Sequence, residues 1–503
     1  MSEKKSHIIW KFLLITGFIV GLYIGSRIYS YYHTGADLMS IYQSGVEAHQ
    51  HQLSGVTLHE NTLSRLHPDV AYAITKTMSE AWYWLDQSYN NQSNILLANY
   101  FEEHLLTHIE SLNQESIGVR SSVSHLLELK HVSLDKSIAV IRDHAAEIIY
   151  NYTIDEDADI PLRVDTTAYT AILVLVNGKW KIKNWISENI EKIPKPVGDP
   201  AVKASLLERV RHIKGINYYP AEYPWQLFWN NYDSLIIEAD FKIISELGMN
   251  TVRIFLPFND FDHKTNVEAN LANLSKLLDT AEAYNLYVIP TLFDLPIGYE
   301  VQQYAKYHNQ LKRILTSVSH KPALLSWNIK NEPDLDFQIH GSQETLDWLR
   351  YMINKAKIYD PIHPVTISWS TPEHLTLLSD ELDYLSFHMY LSDDNWETQI
   401  NNLTATLAKP IVLEEFGLST RSGLKNFLGA SEHEQANYLE ECISKANDHQ
   451  IPWMLWTLHD FKQIPYGVFG WKPWVKAKQK RFGIMRIDGT PKKIYPNIKL
   501  LAN

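Results

Sequence analysis

Residues 410–417 read PIVLEEFG, a short apolar run that ends in two adjacent glutamates. Aliphatic and β-branched runs of this length are typical of a strand that is buried on both faces of a parallel sheet. Residues 326–334, SWNIKNEPD, have the same arrangement, with Asn331 and Glu332 following the apolar part. Because chemistry in such folds is carried by residues at the strand ends, the two stretches indicate both the fold and the site.

From residue 205 onward, short apolar runs alternate with amphipathic helical stretches, the pattern of a parallel sheet with helical crossovers. Eight units in about 300 residues predict an α/β fold, a (β/α)8 TIM barrel over residues 205–503. A doubly wound open sheet is the rival, but no glycine-rich nucleotide loop follows the first run. The eight runs are residues 212–218, 251–256, 287–293, 323–329, 365–369, 384–388, 410–414 and 453–457.

The composition excludes several partners and cofactors. The chain has 503 residues and a formal net charge of −12, which argues against a nucleic-acid partner because phosphate binding needs a cationic surface. Histidines and acidic residues lack the spacing of a closed metal site, so no metal and no cofactor are expected. The aromatic content of 12% is high enough to supply rings both to a core and to a sugar-binding cleft.

The N-terminal segment predicts a membrane anchor. Residues 8–26, IIWKFLLITGFIVGLYIGS, carry one charge and are nearly long enough to cross a bilayer. Lysines precede this run, so residues 1–33 are expected to form a cytoplasmic tip and a single transmembrane helix. The catalytic part would then lie outside the cytoplasm, in a periplasmic or extracellular compartment. The alternative is a cleaved signal peptide, although no clear cleavage site follows the run.

Residues 34–190 predict a separate α+β domain. A helical pattern over residues 37–125 gives way to β-branched and aromatic runs, and Asn177-Gly178 is a strong hairpin signal. This order resembles the nuclear-transport-factor-2-like cone fold, whose members bind a ligand or mediate contacts. We therefore expect a spacer, or a surface for a protein partner. A proline-rich linker over residues 191–204 leads to the barrel.

Two carboxylates are expected to face each other across the barrel mouth. Glu332 follows the fourth predicted strand and Glu415 the seventh, and paired carboxylates suit acetal cleavage. One protonates the leaving oxygen while the other attacks the sugar or activates water; a separation of about 5–5.5 Å gives retention and about 6.5–9.5 Å inversion. Because neighbouring strand residues point in opposite directions, only one of Glu414 and Glu415 should face the cleft, and we expect Glu415.

The sequences NEP at 331–333 and EFG at 415–417 resemble the paired motifs of clan A glycoside hydrolases, most closely family 5. The resemblance covers about residues 210–500. It implies a retaining double displacement in which Glu332 is the acid/base and Glu415 the nucleophile.

The resemblance extends to other strands and implies further roles. Arg253 matches the arginine that orients the nucleophile, and His388 and Tyr390 match a pair on the sixth strand. Trp456 matches the tryptophan that stacks under the sugar. Asn331 would bond the sugar 2-hydroxyl.

Two more residues are candidates for substrate binding. Asp294 stands where the family often has a histidine after the third strand. Trp369 lies at the mouth end of the fifth predicted strand and could present its ring to a sugar.

The resemblance also implies a division of charge between the two glutamates. Arg253 and Tyr390 are expected to lower the pKa of Glu415 by charge and hydrogen bonding. The negative charge of Glu415 is expected to raise the pKa of Glu332, which would stay protonated as the acid.

The leading functional hypothesis is hydrolysis of a β-linked polysaccharide or oligosaccharide of glucan or mannan type outside the cytoplasm. Processing of an exopolysaccharide or a cell-envelope glycan would fit the anchor. One alternative is a transglycosylase that uses the same glutamates. Another, from a different class, is a non-catalytic glycan-binding subunit of a polysaccharide synthesis or export complex, against which the intact set of site residues argues.

Overall fold

A computed structural model describes most of the chain after residue 54. The predicted cytoplasmic tip and transmembrane helix at residues 1–33 lie outside the described residues. Among the helices that are described, none is both long enough and apolar enough to cross a bilayer. The described residues are 55–58, 68–91, 96–114, 118–133, 135–151, 162–188, 198–262, 266–295, 297–390, 400, 402, 406–407, 409–420, 429–469 and 472–502.

The N-terminal domain consists of a five-stranded sheet and the helices α1 (Pro68–Asn91) and α2 (Glu103–Gln114). The strands lie in the order β1–β5, with β1 parallel to β2 and the other neighbours antiparallel. Their bounds are β1 Gly55–Leu58, β2 Val119–Val132, β3 Ile138–Asn151, β4 Arg163–Val176 and β5 Lys179–Glu188. The predicted α+β order is therefore present, but the helical pattern expected up to residue 125 is wrong, since β2 begins at Val119.

The turn between β4 and β5 follows from two residues. Asn177 and Gly178 have φ angles of 51° and 77°. A two-residue hairpin whose central residues both have positive φ matches the twist of the strands, and asparagine and glycine tolerate this conformation best. The hairpin predicted from the sequence is thus confirmed.

Helix α1 packs against the sheet through Trp82, which is 2% exposed. The indole stacks on the ring of His125 at 4.6 Å and meets the edge of Trp185 at 4.7 Å. His125 is itself bonded through Nδ1 to Oδ2 of Asp143 at 2.7 Å. This domain therefore has its own core, with one buried histidine–aspartate pair inside it.

The second part of the chain is a closed barrel of eight parallel strands, in the spatial order β10-β11-β12-β13-β6-β7-β8-β9. This confirms the predicted barrel and its eight runs. The strands are β6 Lys214–Asn217, β7 Thr251–Leu256, β8 Tyr287–Leu292, β9 Trp327–Asn331, β10 Val365–Trp369, β11 Leu385–Met389, β12 Ile411–Phe416 and β13 Trp453–Trp456.

Helices surround the barrel and connect its strands. Each strand is largely buried on both faces because one face fills the barrel and the other packs against the helices. Helix α9 (Glu432–Asp448) shows how a helix start is encoded: the Ser431 side chain accepts a hydrogen bond from the Glu434 amide, while the Glu434 side chain accepts one from the Ser431 amide. The helices described here are α3 Pro200–Val210, α4 Ser234–Glu246, α5 Val267–Ala283, α6 Tyr304–Val318, α7 Phe337–His340, α8 Ser342–Tyr359, α9 Glu432–Asp448, α10 Tyr466–Phe469, α11 Pro473–Gln479 and α12 Tyr495–Ala502.

The two domains are packed together through the sheet of the first domain and helix α6 of the barrel, and through side chains of helix α8. Val123 and Ile149 of the sheet are fully buried and belong to the apolar core of the barrel domain. Glu147 accepts a hydrogen bond from Tyr351 at 2.5 Å and forms a close, buried ion pair with Lys355. At least part of the surface that the first domain could offer to a protein partner is thus covered by the barrel domain of the same chain.

Replacing Lys355 by methionine tests this interface. Among the described residues, the change leaves the buried carboxylate of Glu147 with Tyr351 as its remaining hydrogen-bond partner. Losing one member of a buried pair costs about 3 kcal/mol. We expect a corresponding fall in the free energy of unfolding, measured by chemical denaturation, and recovery of most of it when Glu147 is also changed to Gln.

The control is Lys242→Met, because Lys242 forms an ion pair with Glu246 in which both side chains are more than 60% exposed. Its loss should stay within about 0.5 kcal/mol. A Lys355 variant as stable as this control would contradict a structural role for the interdomain pair.

Candidate active site

The two predicted catalytic glutamates lie at the carboxyl ends of their strands, as the barrel requires. Glu415 is in β12 with its side chain 9% exposed, and Glu332 directly follows β9 with its side chain 19% exposed. The amide of Glu332 donates to the carbonyl oxygen of Ser368 at 2.8 Å, which fixes its backbone against β10. Both carboxyl groups are therefore nearly buried yet reach the mouth of the barrel.

Three non-glycine residues at the mouth have a left-handed backbone. Trp225, Phe293 and Glu332 have φ angles of 51°, 49° and 46°. Each such residue costs about 1–3 kcal/mol and persists only where the surrounding structure holds it. They follow the first, third and fourth strands of the barrel, so three of the loops around the site are held in strained conformations.

Arg253, in β7, is the most highly connected residue of the site. It is fully buried, and all five of its N–H groups are used. Its acceptors come from five different strands: Thr291 Oγ1 at 2.8 Å, Asn217 Oδ1 at 2.8 Å, Glu415 Oε2 at 3.0 Å, Asn331 Oδ1 at 2.7 Å and Ser368 Oγ at 2.9 Å. The guanidinium therefore fixes the nucleophile candidate and Asn331 relative to each other.

His388 lies between the two glutamates. Its Nδ1 is 2.7 Å from Oε1 of Glu332, and its Nε2 is 3.7 Å from Oε2 of Glu415. Burial lowers the pKa of His388, so the ring is neutral and carries one proton. If Glu332 is protonated, its hydroxyl donates to Nδ1, and the remaining ring proton on Nε2 faces Glu415.

Tyr390 completes the surroundings of Glu415. Its hydroxyl donates a short hydrogen bond to Oε1 of Glu415, while Arg253 bonds the other oxygen. A carboxylate that accepts from a phenol and a guanidinium is fixed in orientation and favoured as an anion.

Burial dominates the pKa values of both glutamates. It raises the pKa of Glu332 to about 7, and the nearby cations Arg253 and Lys330 oppose this only in part. Burial also raises the pKa of Glu415, against the effects of His388, Arg253 and Tyr390. Arg253 and Tyr390 do act to lower the pKa of Glu415, as expected, but the expected net lowering is wrong because desolvation outweighs them. For Glu332 the expected direction is confirmed, with burial rather than the charge of Glu415 as the main cause.

The strand that carries Glu415 is irregular at Glu414. Phe387 pairs with Leu413 while His388 pairs with Glu415, so Glu414 is an extra residue, a β-bulge. Both carboxylates consequently lie inside the barrel, and Glu414 Oε2 is 3.7 Å from Nε of Arg253. The assumption that the two neighbours point in opposite directions is wrong here, because it holds only for a regular strand. Glu415 is nevertheless the one at the mouth, since Glu414 is fully buried.

Asp294 lies just beyond β8 and is partly exposed. Its Oδ2 accepts a hydrogen bond from the hydroxyl of Tyr219 at 3.1 Å, whereas Oδ1 has no hydrogen-bond partner in the described part of the chain. Burial raises the pKa of Asp294 to about 6, with Lys330 and Arg253 opposing. Oδ1 itself has almost no exposed surface, so the structure places Asp294 near the site without presenting this oxygen to a ligand.

Aromatic rings form one side of the mouth. Trp456, the last residue of β13, is 6% exposed, and its ring lies 6.0 Å from that of Trp225 and 5.9 Å from that of Phe255. Trp369, by contrast, has no exposed surface, and its ring stacks near His374 at 6.0 Å. The structure thus brings Trp456 to the site and leaves Trp369 in the packing beneath it.

Sequence reasoning did not single out three further residues of the site. Asn217, Thr291 and Ser368 accept hydrogen bonds from the guanidinium of Arg253. The sequence feature that could have identified them is a polar residue near the carboxyl end of a mainly apolar strand. In the described residues, no group of three or more histidine, cysteine or acidic side chains could hold a metal ion.

Comparison with known proteins gives one family match, and it falls on the barrel. Residues 213–462 match the family model described as cellulase, glycosyl hydrolase family 5. Two curated relatives are β-glucuronidases, from Chlorocebus aethiops (22% identical over 273 residues, 50% of this chain and 39% of the relative) and Felis catus (26% over 179 residues, 32% and 27%). The chain spans less than half the length of either.

Solved structures similar to the chain are also glycosidases by name. They include an exo-β-1,4-mannosidase from Opitutaceae bacterium strain TAV5 (18% identity, 58% of this chain and 59% of that one, TM-score 0.47). A β-D-glucuronidase of Dictyoglomus thermophilum is another (15% identity, 75% and 68%, TM-score 0.44). The family match covers every strand of the barrel, both glutamates and Arg253. Through its barrel domain, this chain belongs to the cellulase family, glycosyl hydrolase family 5.

Proposed function

We propose that this chain is a retaining glycoside hydrolase that cleaves a β-linked glucan- or mannan-type polysaccharide or oligosaccharide by double displacement. The observation that supports it most directly is the unequal environment of the two carboxyl groups. Glu415 is bound by Arg253 and Tyr390, which favour the anion, while Glu332 has a pKa raised to about 7 by burial. One group is thus equipped as nucleophile and the other as acid.

In the first step, an oxygen of Glu415 attacks the anomeric carbon as the glycosidic bond breaks, and Glu332 gives its proton to the leaving oxygen. Arg253 and Tyr390 hold the attacking carboxylate in one orientation, which reduces the entropy lost on reaching the transition state. Asn331, held by Arg253, has its amide available for the sugar 2-hydroxyl.

In the second step, Glu332 acts as base. It removes a proton from water, which attacks the anomeric carbon and releases Glu415. His388 contacts Glu332 in both steps and can keep the carboxyl group oriented while its charge changes. The ring of Trp456 would stack under the sugar in the subsite before the cleaved bond, and Asp294 is a further candidate for the binding of that sugar.

We place this activity outside the cytoplasm, on an exported or cell-envelope glycan. Support comes from the sequence of residues 8–26, which has the length and composition of a membrane anchor with the barrel on its far side. The first domain, which is docked on the barrel, would orient the cleft relative to the membrane or to a protein partner.

The proposed role of Glu332 predicts a dependence on the leaving group. For Glu332→Gln we expect kcat/KM on an oligosaccharide to fall about 10²–10⁴-fold, because a sugar hydroxyl leaves poorly without a proton. On a 2,4-dinitrophenyl glycoside, whose leaving group needs no proton, formation of the glycosyl-enzyme should be almost unchanged. Equal losses on both substrates would argue against the assignment.

The raised pKa values predict the pH profile of kcat/KM. Glu332 must be protonated to act as acid, so activity should fall as the pH rises through about 7. Glu415 must be ionised, so activity should also fall as the pH decreases. Because the pKa of Glu415 is raised, this fall should occur at a higher pH than the usual pKa of a glutamate. Initial rates across pH 4–9 measure both limbs. A profile that stays flat above pH 7 would contradict the role of Glu332.

The stereochemistry of the product tests the double displacement, and a panel of glucans, mannans and their oligosaccharides identifies the substrate. Proton NMR taken in the first minutes should show the β anomer appearing before mutarotation, and Glu415→Gln should abolish turnover. Initial release of the α anomer would show inversion and overturn the retaining mechanism. Products longer than the substrate would instead indicate transglycosylation, and binding without any cleavage would indicate a glycan-binding subunit.

A further inference from the structure

Glu414 is a buried carboxylate to which the mechanism above gives no task. Its side chain is fully buried, and its Oε2 accepts hydrogen bonds from Asn328 at 2.7 Å and Ser386 at 2.9 Å. The same oxygen lies 3.7 Å from Nε of Arg253. Its other oxygen, Oε1, has no hydrogen-bond partner among the residues that the structure describes. A buried carboxylate with one unbonded oxygen is costly and needs a reason.

Double displacement moves charge away from Arg253. When an oxygen of Glu415 bonds to the anomeric carbon, the bond from that carbon to the leaving oxygen breaks, and the leaving oxygen takes the proton of Glu332. Glu415 becomes a neutral ester and Glu332 becomes the carboxylate. The total charge is unchanged, but the negative charge has left the group that is hydrogen-bonded to Arg253.

Arg253 cannot adapt to this change by itself. It is fully buried, and a guanidinium does not lose its proton in proteins. Its four other acceptors are neutral side chains, those of Asn217, Thr291, Asn331 and Ser368. A buried cation without a carboxylate partner is strongly disfavoured.

We propose that Glu414 is the standing counter-ion of Arg253, a positioning residue that keeps the guanidinium neutralised while Glu415 is esterified. The inference rests on the double displacement of the proposed function. It explains why β12 has its bulge at this point, because a regular strand would direct Glu414 away from the barrel interior and leave Arg253 with Glu415 alone. With Arg253 neutralised by Glu414, the newly formed carboxylate of Glu332 remains free to act as the base.

The test is a double-variant stability cycle on the full chain, which needs no substrate. Glu415→Gln imitates the loss of charge on esterification, and Glu414→Gln removes the second carboxylate with little change in shape. We expect each single variant to lower the thermal unfolding midpoint modestly, since one carboxylate remains. The double variant should lose about 5 °C more than the sum of the two.

The matched control is Ser386→Ala, which removes a hydrogen bond to Glu414 but no charge. Combined with Glu415→Gln, it should give additive losses. Additive losses for the Glu414/Glu415 pair would overturn the inference. So would a Glu414→Gln variant that is already as unstable as the double variant or does not fold, because Glu414 would then be needed even while Glu415 is charged.

A kinetic measurement separates positioning from plain structural support. In Glu414→Gln, loss of the neighbouring negative charge should move the acidic limb of the kcat/KM profile to lower pH, whereas Glu414→Asp should leave it near the wild-type position. An unmoved limb in the Gln variant would count against the inference. If the stability losses are non-additive but no glycan is turned over, the role of Glu414 as counter-ion is supported and the proposed function is refuted. The two failures are therefore distinguishable.

Discussion

The buried guanidinium of Arg253 is the constraint on which the mouth of the barrel depends. Each of its five N–H groups would cost free energy if left unpaired in the interior, and each is paired with an acceptor from a different strand. Satisfying one side chain therefore fixes the ends of β6, β8, β9, β10 and β12 relative to one another. The geometry of the proposed catalytic site is a consequence of this arrangement, because Glu415 and Asn331 are two of the five acceptors.

The same burial that requires every N–H group of Arg253 to be paired also sets the pKa values of its neighbours. In water, a carboxylate beside a guanidinium would have a lowered pKa, but here desolvation is the larger effect for both Glu332 and Glu415. What distinguishes the two is hydrogen bonding: Glu415 accepts from charged or phenolic donors, whereas Glu332 faces the neutral ring of His388. One site can thus hold a proton on one carboxyl group and an anion on the other.

The sequence predicts the barrel well because its strands are largely buried on both faces and read as short, mainly apolar runs. The strand ends identify Glu332 and Glu415 for the same reason, whereas Arg253 is identified by the family resemblance. The sequence predicts less well the features that depend on irregular backbone or on packing. The bulge at Glu414 leaves no mark in the composition of residues 410–417, and alternation of side chains then gives the wrong orientation. The pKa of Glu415 and the burial of Trp369 depend on how much solvent the folded neighbours exclude, which no local pattern contains.

The first domain is connected to the site through the loop that follows β8. A short helical turn of this loop, Val301–Gln303, contacts β2. Two residues earlier, the hydroxyl of Tyr299 bonds the carboxylate of Asp336, in the turn that begins directly after Glu332. Because Lys330 also pairs with Asp336, at 3.6 Å, the segment carrying Glu332 is braced on one side by a loop that the first domain covers. The first domain is therefore better regarded as part of the support of Glu332, the proposed acid/base, than as a spacer that precedes the barrel.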